Sequence, residues 1–230
     1  MKIYAIGDIH GEFFKLKALM DKLFIKKDDL IVFVGDYIDR GKYSFEVIDY
    51  LVELGKKHNC IFLKGNHEAM LTDYLIGIYE ETFIKNGGRK TMKSYYRNGY
   101  NIQRSTPYLH RKLPKEHVKF FHNLRLYYET DDYIFVHAAL WPQKNLALDK
   151  QPTDVILWER NHFLNSKFDW GKKVIFGHTA FGEPLVMENK IGIDTGACFN
   201  DVDGGGNLTC VILPDERFVQ QGPVLEDLDD

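Results

Sequence analysis

The chain has 230 residues, 44% of them hydrophobic and 27% charged, with a formal net charge of −3. This is the balance of a globular protein with a buried core, and the slight acidity excludes a dedicated binder of nucleic-acid polymers or anionic membranes, which carries a basic surplus. No apolar run approaches the roughly 20 residues that span a bilayer, and three scattered cysteines (Cys60, Cys198, Cys210) suit free thiols in a reducing compartment and exclude a cysteine-rich zinc cluster.

In chain order, the start MKIYAIGD enters a strand pattern at once, without the basic and apolar segments of a signal peptide, so the expected location is cytoplasmic. KIYAIG (2–7) reads as a strand, and EFFKLKALMDKLF (12–24) as a helix with Phe13, Leu16, Leu19, Met20 and Leu23 at helical spacing. LIVFVG (30–35) is a second strand. YSFEVIDYLVEL (43–54) is a second helix with Phe45, Ile48, Leu51 and Val52 inward, and CIFLKG (60–65) a third strand. Two strand–helix units followed by a strand imply a parallel sheet with helices on its faces.

Residues 77–107 are polar, tyrosine-rich and broken by Gly87-Gly88, which implies short helices and loops over one end of the sheet. Tyr95, Tyr96 and Tyr100 could line a substrate wall there or pack the cap, and packing is the reading adopted. Pro114 sits where a helix ending near His122 would begin. Beyond it come LRLYYET, a turn at Asp131-Asp132, YIFVHA, KVIFGH, PLVMEN, KIGIDTG and LTCVIL. These read as a second, mostly antiparallel sheet stacked on the first. GGGNL (204–208) reads as a turn, and the acidic end LEDLDD as a frayed tail.

Nearly every strand ends in Gly, Asp, His or Asn: GDIHG (7–11), GDYIDRG (35–41), GNHE (65–68), VHA (136–138) and GHT (177–179). Ligands of open α/β sheets bind at the carboxyl ends of strands. These ends carry Asp8, His10, Asp36, Asp39, Arg40, Asn66, His67, His137 and His178. Carboxylates, an amide oxygen and imidazoles without thiolate suit divalent Mn, Fe or Zn. Six candidate ligands exceed what one ion needs, so two ions sharing a carboxylate is the economical reading. His58, His110, His117, His122 and His162 lack this context and read as ordinary, as does Cys198 in DTGACF.

These blocks, in this order across residues 7–179, resemble the five signature blocks of the phosphoprotein phosphatase family of calcineurin-like metallophosphoesterases. NGGRKTMKSY (86–95) resembles an NGG-x-x-T segment of the bacterial branch, which includes phage-lambda-type serine/threonine phosphatases and symmetrical diadenosine tetraphosphatases. LWERNHF (157–163) resembles that family's LWSR-like block.

The resemblance implies an α/β fold: a four-layer α/β/β/α metallophosphatase sandwich, two mixed sheets stacked face to face with helices outside. It implies one domain over 1–230, with 77–125 as a cap and 222–230 as a tail. Asp8 and His10 would hold one divalent ion, Asn66, His137 and His178 a second, and Asp36 would bridge them. The ions would be Mn in the first place, with Fe, Zn or Ni also admitted. A water between the two cations, made acidic by them, would attack phosphorus in line. His67, oriented by Asp39, would protonate the leaving oxygen, and Arg40 and Arg160 would grip the phosphoryl group. The expected substrate is phosphoserine or phosphothreonine in proteins or a small phosphorylated compound. A dinucleoside polyphosphate cleaved symmetrically is the alternative. A non-catalytic metal-binding relative would lack a ligand or the histidine, and here every position is filled.

Overall fold

The computed structural model describes residues 1–102, 113–199 and 206–224. In chain order the strands are β1 (Ile3–Ile6), β2 (Leu30–Phe33), β3 (Asn59–Phe62), β4 (Tyr127–Glu129), β5 (Tyr133–Val136), β6 (Lys173–Phe176), β7 (Leu185–Val186), β8 (Lys190–Gly192), β9 (Leu208–Leu213) and β10 (Arg217–Gln221). The α-helices are α1 (Phe13–Asp21), α2 (Ser44–Lys57), α3 (Asn66–Leu75), α4 (Glu80–Phe83), α5 (Arg89–Arg97), α6 (Lys115–His122), α7 (Thr153–Trp158) and α8 (Asn161–Asn165). A π-helical turn, Ile84–Gly88, joins α4 to α5.

Side chains alternate across a strand, and here both faces are apolar, so each sheet is covered on both sides. Ile3 and Ala5 of β1, Leu30 and Val32 of β2 and Val211 and Leu213 of β9 point into one layer, where they meet Tyr133, Phe135, Ile175 and Ile191 of the other sheet. Tyr4, Ile6, Ile31, Phe33, Cys210 and Ile212 point the opposite way, onto Leu16 and Leu19 of α1 and Val47, Ile48 and Leu51 of α2. Ile134, Val136, Val174 and Phe176 form a third layer with Phe163 of α8 and Val155 of α7. The order is therefore helix, sheet, sheet, helix. Each fully buried Ile, Leu, Val or Phe contributes roughly 1.5–3 kcal/mol by leaving water.

The first sheet runs β10-β9-β1-β2-β3, with β1, β2 and β3 parallel and β9 antiparallel to β1. The second runs β4-β5-β6-β8-β7. Two expectations are corrected here. The second sheet is mixed: β5–β6 and β6–β8 are parallel, and only the edge pairs β4–β5 and β7–β8 are antiparallel. The connection from β5 to β6 carries α7 and α8, and a crossover of that length returns the chain parallel. LTCVIL (β9) belongs to the first sheet, because an all-apolar strand fits any central position and its own alternation does not choose one.

α6 begins directly after Pro114, which occupies its N-cap. Tyr95 is buried against His117 and Phe45, and Tyr100 stacks on Phe45, so both pack, whereas Tyr96 is exposed. Residues 103–112, His110 among them, Gly204 and Gly205 of the glycine turn, and the tail 225–230 lie outside the described residues. Among the described residues no helix is long and apolar enough to cross a membrane.

Candidate active site

The parallel strands point their carboxyl ends to one rim, and the loops leaving them are laced together. The backbone N–H groups of Ile9 and His10 donate to Asp36 O (3.0 and 2.9 Å), Gly11 N–H to Tyr37 O, and Gly41 N–H to His10 O. Five residues here take left-handed backbone angles: His10 (φ 48°), Asp36 (51°), Asp39 (70°), Arg40 (61°) and His178 (64°). For side-chain-bearing residues that conformation costs about 1–3 kcal/mol each and is held only by surrounding bonds. Two glycines let the polar groups approach: a Cβ on Gly65 would lie 2.1 Å from Asp36 Oδ1, and one on Gly177 2.1 Å from Asp8 Oδ1.

Asp36 lies at the centre and is buried. Its Oδ1 is 3.4 Å from His137 Nε2, and its Oδ2 is 3.6 Å from His10 Nε2 and 3.9 Å from His67 Nε2. Two tight groups share it: Asp36 with His10 and His67, and Asp36 with His137 and His178. Asn66 Oδ1 lies 2.9 Å from both His137 Nε2 and His178 Nδ1. Asp8 reaches the same rim, where its Oδ2 accepts from the backbone N–H of His178 at 3.0 Å.

The donor set calls for cations. His137 Nδ1–H donates to Val34 O at 2.9 Å, and His10 Nδ1–H donates to Ile38 O at 2.9 Å. A neutral imidazole has one N–H, so the Nε2 atoms of both rings carry lone pairs. The lone pair of His137 then faces Asn66 Oδ1 and Asp36 Oδ1, three electron-rich atoms with no proton between them. Burial disfavours the imidazolium that would relieve this: it lowers His137, lowers His10 well below the usual histidine range, and brings His178 to about 3. Asp8 Oδ1 is buried without any hydrogen-bond partner. A divalent cation beside each group of ligands satisfies all of these atoms, and oxygen with imidazole nitrogen suits Mn, Fe or Zn.

Burial alone would raise the Asp36 carboxyl, but the imidazoles of His137, His67, His10 and His178 outweigh it and hold the group below the usual carboxylate range. Burial raises Asp8 well above that range, reinforced by the charges of Asp194 and Asp36. A cation would reverse this second effect.

His67, at the start of α3, donates Nδ1–H to Asp39 Oδ2 at 2.7 Å. Asp39 in turn accepts at Oδ1 from the Thr91 hydroxyl on α5 (2.5 Å), and its backbone N–H donates back to Thr91 Oγ1 (2.9 Å). Burial would lower His67, but the charges of Asp36 and Asp39 raise it above the usual histidine value. Arg40 spans His10 Nε2 (3.1 Å) and His67 Nε2 (3.2 Å), with Phe199 under its guanidinium at 5.5 Å. Arg160 reaches His178 from the other side, Nε to Nε2 at 3.0 Å and Nη2 to the carbonyl at 3.2 Å. All ten residues singled out in the sequence thus meet at one rim.

Three supporting carboxylate or hydroxyl groups escaped the sequence reading. Glu68 is buried and accepts from the backbone N–H groups of Asp36, Tyr37 and Gly65 (3.0, 2.9 and 2.9 Å), which clamps the loop after β2 to the start of α3. It lies inside GNHE, where its neighbours drew the chemistry. Thr91 is the threonine of NGG-x-x-T. Asp194 is buried beside Asp8, with Oδ1 accepting from Gly196 N–H at 2.9 Å, and burial raises it to about 6. It follows β8, so the strand-end pattern would have found it. Cys198 is half-buried, and burial pushes its thiol up to about 12, which removes it as a nucleophile.

The sequence profile described as calcineurin-like phosphoesterase matches residues 1–184. Curated relatives named bis(5'-nucleosyl)-tetraphosphatase PrpE (asymmetrical) are similar over nearly their whole length. One from Bacillus cereus is 29% identical over 244 residues, 95% of this chain and 93% of the relative. One from Halalkalibacterium halodurans is 26% identical over 243 residues, with the same coverage. Among solved structures, a cold-active protein-tyrosine phosphatase of a psychrophilic Shewanella has a TM-score of 0.64 at 18% identity, covering 95% of this chain and 77% of that one. A protein serine/threonine phosphatase from Saccharomyces cerevisiae has a TM-score of 0.60 at 19% identity, covering 97% and 80%. These two structures bear on the fold alone.

Proposed function

The chain belongs to the calcineurin-like phosphoesterase family, as a metal-dependent phosphoesterase, and from that premise we propose that it hydrolyses the phosphate chain of dinucleoside polyphosphates. Asp8, His10 and Asp36 would hold one divalent ion, and Asp36, Asn66, His137 and His178 the other. Bound there, the two ions would supply an acidic, attacking water and offset phosphoryl charge. The residues of the chain do the rest. Arg40 and Arg160, each now resting on an imidazole, turn their N–H groups to the phosphoryl oxygens and stabilise the charge that grows as attack proceeds. His67, held by Asp39 and Thr91, donates its Nε2 proton to the departing oxygen as the old P–O bond breaks.

The observation that carries the choice of substrate is the near full-length similarity to relatives that bear that name. It moves dinucleoside polyphosphates ahead of the phosphoprotein substrate expected from the sequence. The test compares the Mn-loaded protein on diadenosine tetraphosphate and on phosphoserine and phosphothreonine peptides, with products separated. The dinucleotide is expected to have the higher kcat/KM, by at least about tenfold, equivalent to 1.4 kcal/mol. Adenosine mono- and triphosphate as products mean asymmetrical cleavage, and two diphosphates symmetrical cleavage. Faster peptide dephosphorylation would overturn the reading.

A further inference from the structure

Directly after Arg160 in the chain, Asn161 and His162 join Trp141, Pro142, Asn165 and Ser166 in lining a cavity of about 400 Å³. None of these side chains is an acid, a lysine or an arginine. The indole of Trp141 and the ring of His162 lie 5.4 Å apart, tilted by 58°. Trp141 is 36% exposed, yet its backbone is fixed: N–H donates to Gln151 Oε1 (2.7 Å) and the carbonyl accepts from Gln151 Nε2 (3.4 Å). Gln151 is itself buried, so the indole stands on a rigid support. Asn165 spends Nδ2 on Asn161 O at 2.9 Å, which leaves its Oδ1 as an acceptor.

The chain ties this lining to the phosphoryl site at two points, and at the first of them Trp141 follows His137 by four residues. Arg160 contacts His178 at 3.0 Å, and His162 follows two residues later, so its Cα lies within about 8 Å of that of Arg160. Two residues before Arg160, the exposed Trp158 sets its ring edge-on to His178 at 6.2 Å. A ribose and part of a phosphate chain can bridge such a gap.

We propose that the Trp141–His162 cavity receives the base of a nucleoside polyphosphate whose phosphates occupy the Asp36-centred site. This deepens the dinucleoside polyphosphate reading and rests on it. A flat, uncharged heteroaromatic ring matches a paired-ring wall without ions, and the asparagine amides and the Ser166 hydroxyl match the donors and acceptors along a base edge.

The experiment measures binding without turnover. Calorimetry on the full, Mn-loaded chain compares α,β-methylene adenosine diphosphate with methylenediphosphonate, which is the same phosphonate pair without the nucleoside. Base stacking on an aromatic ring predicts a roughly tenfold tighter dissociation constant for the nucleotide. Trp141→Ala is expected to remove most of that ratio, His162→Ala part of it, and His162→Phe to keep it. Equal affinities in the unaltered protein, or a ratio that survives Trp141→Ala, overturn the pocket. Because the ratio does not depend on cleavage, it stands or falls separately from the substrate reading. Diadenosine tetraphosphate cleaved without the ratio refutes the pocket alone. The ratio without cleavage refutes the substrate reading alone.

Discussion

The two rims of the sheet sandwich are built from the same strands and differ in what they bury. At the far rim, where β5, β6 and β8 begin, a cavity of about 610 Å³ is lined by Asp131, Asp132, Lys167, Asp169, Lys172, Lys173, Glu188 and Asn189, among others. Its charges are mostly exposed, and two of the lysines are paired: Lys172 with Glu129 at 2.8 Å and Lys173 with Glu216 at 2.5 Å. At the near rim, where the parallel strands end, Asp8, His10, Asp36, Asp39, Asn66, His67, His137 and His178 are all buried. Four of them, His10, Asp36, Asp39 and His178, keep left-handed backbones, and the cluster holds facing lone pairs and an orphaned carboxylate oxygen on Asp8. The lesson is that volume does not mark the site. Solvated charge at a surface costs little and does little, whereas a cluster of buried, like-polar atoms with an unsatisfied carboxylate oxygen calls for a partner from outside the chain.

The contrast can be broken most sharply at its centre. Asp36→Asn removes the shared carboxylate, and turnover of p-nitrophenyl phosphate is expected to fall on the order of 10⁴-fold, since a metal's contribution is several kcal/mol. Elemental analysis should show fewer than two ions per chain, and two retained ions would contradict the bridging role. His67→Asn comes next. It should keep both ions but lower turnover by roughly 10²–10⁴-fold on an alkyl phosphate with a poor leaving group. Unchanged turnover there would remove its role as acid.

Asp39→Asn should act through pH. The neighbouring carboxylates hold His67 above its usual value, so its acid form persists past the ordinary histidine pKa, and the rate falls as pH rises through the raised one. Removing the Asp39 charge lets burial pull the His67 pKa down. The basic limb of the kcat profile should therefore move to lower pH, with a smaller loss at its optimum than His67→Asn causes. A limb that stays in place would sever the pair. The smallest effect belongs to the far rim: Lys167→Ala should change stability by less than about 0.5 kcal/mol in urea unfolding and leave turnover intact. A large loss of turnover would mean that the chemistry sits at the other end.

The near rim was the more legible of the two in the sequence, for a physical reason. All the site residues but Arg160 lie in the short segments that follow strand ends, most of them in blocks that carry a glycine, so local order along the chain encodes position in space. Glu68 and Thr91 were harder to read because they act through backbone N–H groups and through Asp39, contacts that residue type alone does not announce. Asp194 obeys the same strand-end logic as the histidines and was readable in KIGIDTG. The sheet assignment of β9 was not, because Cys210, Val211, Ile212 and Leu213 are apolar on both faces and pair equally well in either sheet. The short helices α7 and α8 were hidden in a segment of 6 and 5 helical residues, too brief for a periodic pattern.

Everything rests on cations at Asp36. Crystals grown with Mn and measured at a wavelength where Mn scatters anomalously should give two peaks on either side of that carboxylate, roughly 3.5–4 Å apart. One would lie beside Asp8 and His10, the other beside Asn66, His137 and His178. A single peak, or none within reach of Asp36, would contradict the dinuclear centre.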